Sequence, residues 1–160
     1  MTAAATLKLD VQKRVRAWAP PRAELARWAA AALGARSAGR ELAVALVGAA
    51  ESRRLNARFR GRDKPTNVLS FPPAPLPTGP AHAATHAGRT LGELVICPKV
   101  LAVEARAQDK TLRAHWAHLI VHGTLHLAGY DHERAADAQR MERREIAVLR
   151  RLGFANPYRG

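Results

Sequence analysis

The sequence predicts an α+β fold, a small mixed four-stranded sheet covered by helices. Three observations lead there. Four short stretches alternate or run apolar over strand length. The stretches between and after them carry apolar stripes at helical spacing. No run of 18 or more apolar residues occurs, so the helices are expected to pack on the sheet, with no membrane span.

The elements follow in order. Thr6 to Val11 reads as a first strand, with Leu7, Leu9 and Val11 on one face and Lys8 and Asp10 on the other. Pro20-Pro21 opens a helix whose stripe is Leu25, Trp28, Ala29, Ala32 and Leu33, ended by Gly34. Leu42 to Val47, bounded by Glu41 and Gly48, suits a buried strand. Ala50 to Arg60 predicts a helix with Leu55 and Phe59 four apart on its inner face. Asn67 to Phe71 reads as a strand stopped by Pro72-Pro73, and residues 72 to 90 as a flexible loop without periodicity. Leu91 to Ile96 resumes the sheet, and Pro98 opens a helix to about Ala107. Thr111 to Ala128 predicts a central helix with Leu112, Trp116, Leu119, Ile120 and Leu127 inward. A last helix from Ala135 to Leu152 turns Met141, Val148, Leu149 and Leu152 inward and ends at Gly153.

At 160 residues a single domain, 1–160, is expected, long enough to bury a substantial core. The first ten residues lack the pattern of a signal peptide, and Cys97 is the only cysteine, which excludes an internal disulfide framework; both predict the cytoplasm. Lys plus Arg is 26 against 13 acids, a net charge of +13 carried mostly by arginine. Such a surplus favours polyanions, and arginine's planar fork suits phosphate, although a genome rich in arginine and alanine would produce the same balance.

The run His122-Gly123-Thr124-Leu125-His126-Leu127-Ala128-Gly129-Tyr130-Asp131-His132 carries the chemistry. Its histidines stand at relative positions 0, 4 and 10. The first two share a helix face, and Gly129 allows the chain to turn so that His132 approaches them. Three nitrogen ligands and one open position are the arrangement of catalytic zinc, here at the end of the central helix, with one Zn2+ per chain and other divalent transition metals as substitutes. His118 and Asp131 are expected to support the ligands or to pack, and His115, His82 and His86 to face solvent. In zinc peptidases of this spacing a glutamate general base follows the first histidine. Gly123 stands there, and the only internal methionine, Met141, lies in a helical pattern, so peptide hydrolysis is disfavoured.

Between Arg53 and Lys64 lie six cations (Arg53, Arg54, Arg58, Arg60, Arg62 and Lys64) and one acid, Asp63. They read as a phosphate track that does not by itself choose between RNA, DNA and acidic lipid, with Arg58, Arg60, Arg62 and Lys64 the candidate contacts. Asn67 and Ser70 are expected to cap and bond the sheet.

The segment His115-Trp116-Ala117-His118 through His132 resembles the signature of the YbeY family, the bacterial endoribonucleases of ribosomal RNA maturation. Leu55 through Pro72 resembles a second family motif, Leu91-Gly92-Glu93-Leu94-Val95-Ile96 a third, and Leu152-Gly153 to Pro157-Tyr158 the usual ending. The resemblance covers about residues 40 to 158. It implies a zincin-like fold and a zinc-dependent, single-strand-acting endoribonuclease of ribosomal RNA processing, ribosome biogenesis and quality control. It implies ribosomal RNA and the small ribosomal subunit as partners, His122, His126 and His132 as ligands, and Arg60 as a catalytic arginine. No obligate protein partner is implied. Neither the nucleophile (water or the ribose 2′-hydroxyl) nor a general base is evident. A metal-stabilised, non-catalytic ribosome assembly factor and, behind it, a zinc peptidase are the alternatives.

Overall fold

Charged and apolar residues alternate at the start of the chain, so that only one face of the first strand can be buried. In the structure, a computed structural model that describes residues 7–73, 89–130 and 134–158, this stretch is β1 (Lys8–Lys13). β2 (Glu41–Leu46), β3 (Val68–Phe71) and β4 (Thr90–Ile96) complete a sheet in the order β1-β2-β4-β3. β1, β2 and β4 run parallel, while β3 runs antiparallel to β4 and forms one edge. The fold is the mixed four-stranded α+β architecture the sequence predicts. Among the described residues it carries five α-helices: α1 (Arg22–Leu33), α2 (Ala49–Arg60), α3 (Pro98–Ala107), α4 (Leu112–Leu127) and α5 (Ala135–Arg151).

The central strands are apolar on both faces because both faces are covered. Leu42, Val44 and Leu46 of β2 and Leu94 and Ile96 of β4 enter the larger core with α1, α4 and α5. Ala45, Val47, Leu69 and Val95 form a smaller cluster on the other face, against Leu55 of α2. Phe59, expected beside Leu55, is instead 47% exposed. It sits in the last turn of α2 and meets the edge strand, ring-edge to Phe71 at 5.1 Å. None of the described helices is long and apolar enough to cross a membrane.

Two backbone features set the edge strand and the central helix in place. β4 carries one extra residue against β2, between the pairs Glu41–Thr90 and Ala43–Glu93. Gly92 lies in that bulge at φ +122°, where a Cβ would stand 2.2 Å from the Phe71 carbonyl oxygen; only glycine lets β3 approach so closely. α4 begins at Thr111, whose hydroxyl accepts from the Ala114 amide at 3.1 Å, and its end is followed by Gly129 at φ +105°. Nearly every face of α4 is buried, with Trp116, Ile120 and Leu125 fully enclosed. It is the central helix, and it carries the histidines.

Candidate active site

Residues four apart on α4 lie on one row, which stacks His118, His122 and His126 along the helix. The His118 and His122 rings stand edge to face, 6.2 Å between centroids. Opposite them α5 presents Glu145, a carboxylate only 1% exposed. Glu145 accepts hydrogen bonds from His122 Nδ1 on one oxygen and from the Tyr158 hydroxyl on the other. His118 Nε2 lies 3.6 Å from the second oxygen and 3.3 Å from the Tyr158 oxygen.

Burial alone would raise the pKa of Glu145. Its contacts with His118, His122 and Tyr158 prevail and hold it at about 2, so the carboxylate is ionised at neutral pH. The same pairing, added to burial, pushes the Tyr158 phenol up and keeps it a donor. An ionised carboxylate at Nδ1 selects the His122 tautomer protonated there. Any ligand bond from His122 is then made through Nε2. One ligand atom each of His118, His122 and Glu145 lies within 4.8 Å of the others, a nitrogen and oxygen donor set that suits zinc.

The basic motif is built by α2 and the loop after it. Buried Ser52 donates to the Thr66 carbonyl at 3.0 Å and accepts from its amide at 2.9 Å. Buried Asn56 donates to the Lys64 carbonyl at 2.8 Å. These bonds hold residues 62 to 66 against α2. Arg60 is docked on the edge strand, donating to the Ser70 carbonyl at 2.9 Å with its guanidinium 5.5 Å from the Phe71 ring centre. The result is a groove of about 830 Å³ lined by Arg60, Arg62, Lys64 and His126 together. A second cavity of about 460 Å³ shares its Asn67, Val68 and Glu104 wall and is lined by His118, His122 and Tyr158.

The structure separates the predicted residues. Arg60, Arg62 and Lys64 reach the groove of His126; Arg58 does not. It lines a different cavity with Arg53 and Arg54, stacked over Phe59 at 5.2 Å. Arg53 is engaged by Asp63 through two hydrogen bonds of 2.7 and 3.0 Å. Asn67 plays the expected structural part, its side chain accepting from the Val68 amide at 2.6 Å and donating to Glu104 at 3.1 Å. His115, expected at the surface, is 3% exposed, and its Nε2 pairs with Glu104 at 2.9 Å. It falls on the side of α4 that α3 covers, and burial lowers its pKa against the opposing pull of Glu104. Asp131, His132, His82, His86 and most of the 72–90 loop lie outside the described residues.

The family described as Endoribonuclease YbeY matches residues 9–153. The chain belongs to the YbeY family. Full-length relatives agree. The proteins of Alkalilimnicola ehrlichii, Bordetella pertussis and Halorhodospira halophila, each named Endoribonuclease YbeY, are all 49% identical to it. The alignments cover 98, 97 and 95% of this chain and 93, 98 and 96% of the relatives. The solution structure of TM1509 from Thermotoga maritima shares the fold, with a TM-score of 0.53 at 24% identity over 92% of this chain and 91% of that one.

In this YbeY chain, sequence reasoning missed Glu145, Tyr158 and Glu104. Glu145 did leave a signal. It falls on the apolar stripe of the last helix, four residues after Met141 and three before Val148, where a charge must be paired to be buried. Glu145→Gln offers His122 and Tyr158 one acceptor oxygen in place of two and is expected to weaken binding of any metal held by His122 about 10- to 100-fold. Competition with a chromophoric chelator measures this, and an unchanged affinity would discard the positioning role.

Proposed function

We propose that this chain is a zinc-dependent endoribonuclease that cuts single-stranded segments of ribosomal RNA during small-subunit maturation in the cytoplasm. One observation carries the reading: His126 and the cations Arg60, Arg62 and Lys64 line one groove. A phosphodiester needs both, a cationic wall for its charge and a centre for its chemistry. Family membership and the net charge of +13 support the same substrate class.

His122, His126 and His132 would hold the ion, and Glu145 would orient His122. When bound, zinc supplies Lewis acidity toward a phosphoryl oxygen and acidifies nearby water. The chain supplies the rest. Arg60, held by the Ser70 carbonyl and the Phe71 ring and paired with no carboxylate among the described residues, keeps its charge for the phosphate and stabilises the negative charge that develops there. Arg62 and Lys64, fixed through the bonds of Ser52 and Asn56 to their loop, position the strand. Glu104, held by Asn67 and His115, forms the wall common to both cavities.

The test is purified protein on structured ribosomal RNA fragments and on a casein panel, with zinc and with chelator. Zinc-dependent RNA cleavage and no proteolysis are expected. Arg60→Ala should lower the cleavage rate about 10²- to 10³-fold. It should reduce the salt slope of RNA binding by about one. RNA affinity without any cleavage would instead establish an assembly factor, and full cleavage by Arg60→Ala would remove the arginine from the mechanism.

A further inference from the structure

Beyond the histidines, away from the basic groove, lies a third cavity of about 680 Å³ between the turn joining α3 to α4 and the C-terminal segment. It shares Gln108, Lys110, Pro157 and Tyr158 with the cavity of His118 and His122. The three cavities thus adjoin in series through shared wall residues, with His118 and His122 lining the middle one. We infer that this third cavity seats one nucleobase of the bound RNA strand, next to the metal centre and on the opposite side from the arginine track. The inference rests on the RNA-cleaving function proposed for this chain and adds a base subsite to it.

The chemistry of the walls selects a base over a phosphate. Leu149 and Phe154 make an apolar wall, and Asp109 stands beside the single cation, Lys110. The amides of Gln108 and Asn156 also line the cavity and can meet the donors and acceptors of a base edge. At the boundary stands Tyr158. Its hydroxyl is committed to Glu145, and its ring meets that of His118 edge to face at 5.3 Å, yet the residue remains 45% exposed. A ring anchored at its polar tip and open on its surface is a pre-organised stacking platform.

The experiment scans a single-stranded RNA oligonucleotide with one abasic site moved stepwise along it. Binding to the chelated full-length protein is followed by anisotropy, and cleavage of the same strands by the zinc-loaded protein is followed in parallel. One position should weaken binding at least about fivefold when its base is missing. Ala155→Trp, at an exposed position on the cavity wall, should abolish that dependence while leaving zinc content unchanged. Gln108→Ala should change which base is preferred there, and it decides the matter if the tryptophan variant fails to fold. RNA bound and cut with a flat abasic profile, or a profile identical in Ala155→Trp, or for the folded-variant fallback an unchanged preference in Gln108→Ala, overturns the pocket and leaves the nuclease standing. Neither binding nor cleavage by the wild-type chain overturns both.

Discussion

Replacing His126 with alanine is expected to remove the bound zinc and to lower RNA cleavage by at least about 100-fold, since losing a ligand costs more than the 10- to 100-fold typical of losing its support. His126 lies one turn beyond His122 and lines the basic groove, so in the proposed function it is the histidine that would join metal to substrate. Chelation of the wild type should reproduce the loss, and added zinc should restore the wild type alone. His118→Ala provides the contrast. Glu145 already accepts from His122 and Tyr158, and His118 contacts Glu145 and Tyr158. If its role is support, the variant keeps stoichiometric zinc at reduced affinity. Elemental analysis decides between the arrangements. A His118→Ala protein without zinc beside a His126→Ala protein with full zinc would transfer the site to His118, His122 and Glu145.

Gly123→Glu, the substitution that would write the peptidase motif into this chain, is expected to leave little folded protein. A Cβ at Gly123 would stand 2.8 and 3.1 Å from the two methyl groups of Leu94, a fully buried residue of β4. A methyl group alone requires Leu94 to shift, and overpacking of this kind costs about 1–3 kcal/mol. Glutamate adds a carboxylate to a buried helix–sheet interface, at several kcal/mol more. Against a total stability of about 5–15 kcal/mol, the first cost is survivable and the sum approaches the whole. Gly123→Ala should therefore fold with a Tm lowered by several degrees, and Gly123→Glu should lack a cooperative thermal transition by circular dichroism. A glutamate variant that melts like the wild type would refute the packing account.

The element order was readable from the chain because each stretch carries its own period, and the site was partly readable for the same reason. Residues 118, 122 and 126 share a row on any helix, and the cations of residues 58 to 64 are neighbours along the chain. What local reading could not supply was direction across the fold. Arg58 and Arg60 are two residues apart, and only the docking of α2 on the sheet turns one toward a separate cavity and the other onto β3 and the groove. His115 and Phe59 were misplaced for the same reason, because α3 covers one and nothing encloses the other.

By itself, then, the sequence determined the histidine spacing, the absence of a carboxylate after His122, the surplus of positive charge and the α+β order. Each is a property of neighbours along the chain. Only the tertiary structure decided that Glu145 meets both His122 and Tyr158, that Leu94 packs against Gly123, and that the arginine loop and His126 face one groove. Those contacts join residues far apart in sequence, and they exist only where helices and sheet pack.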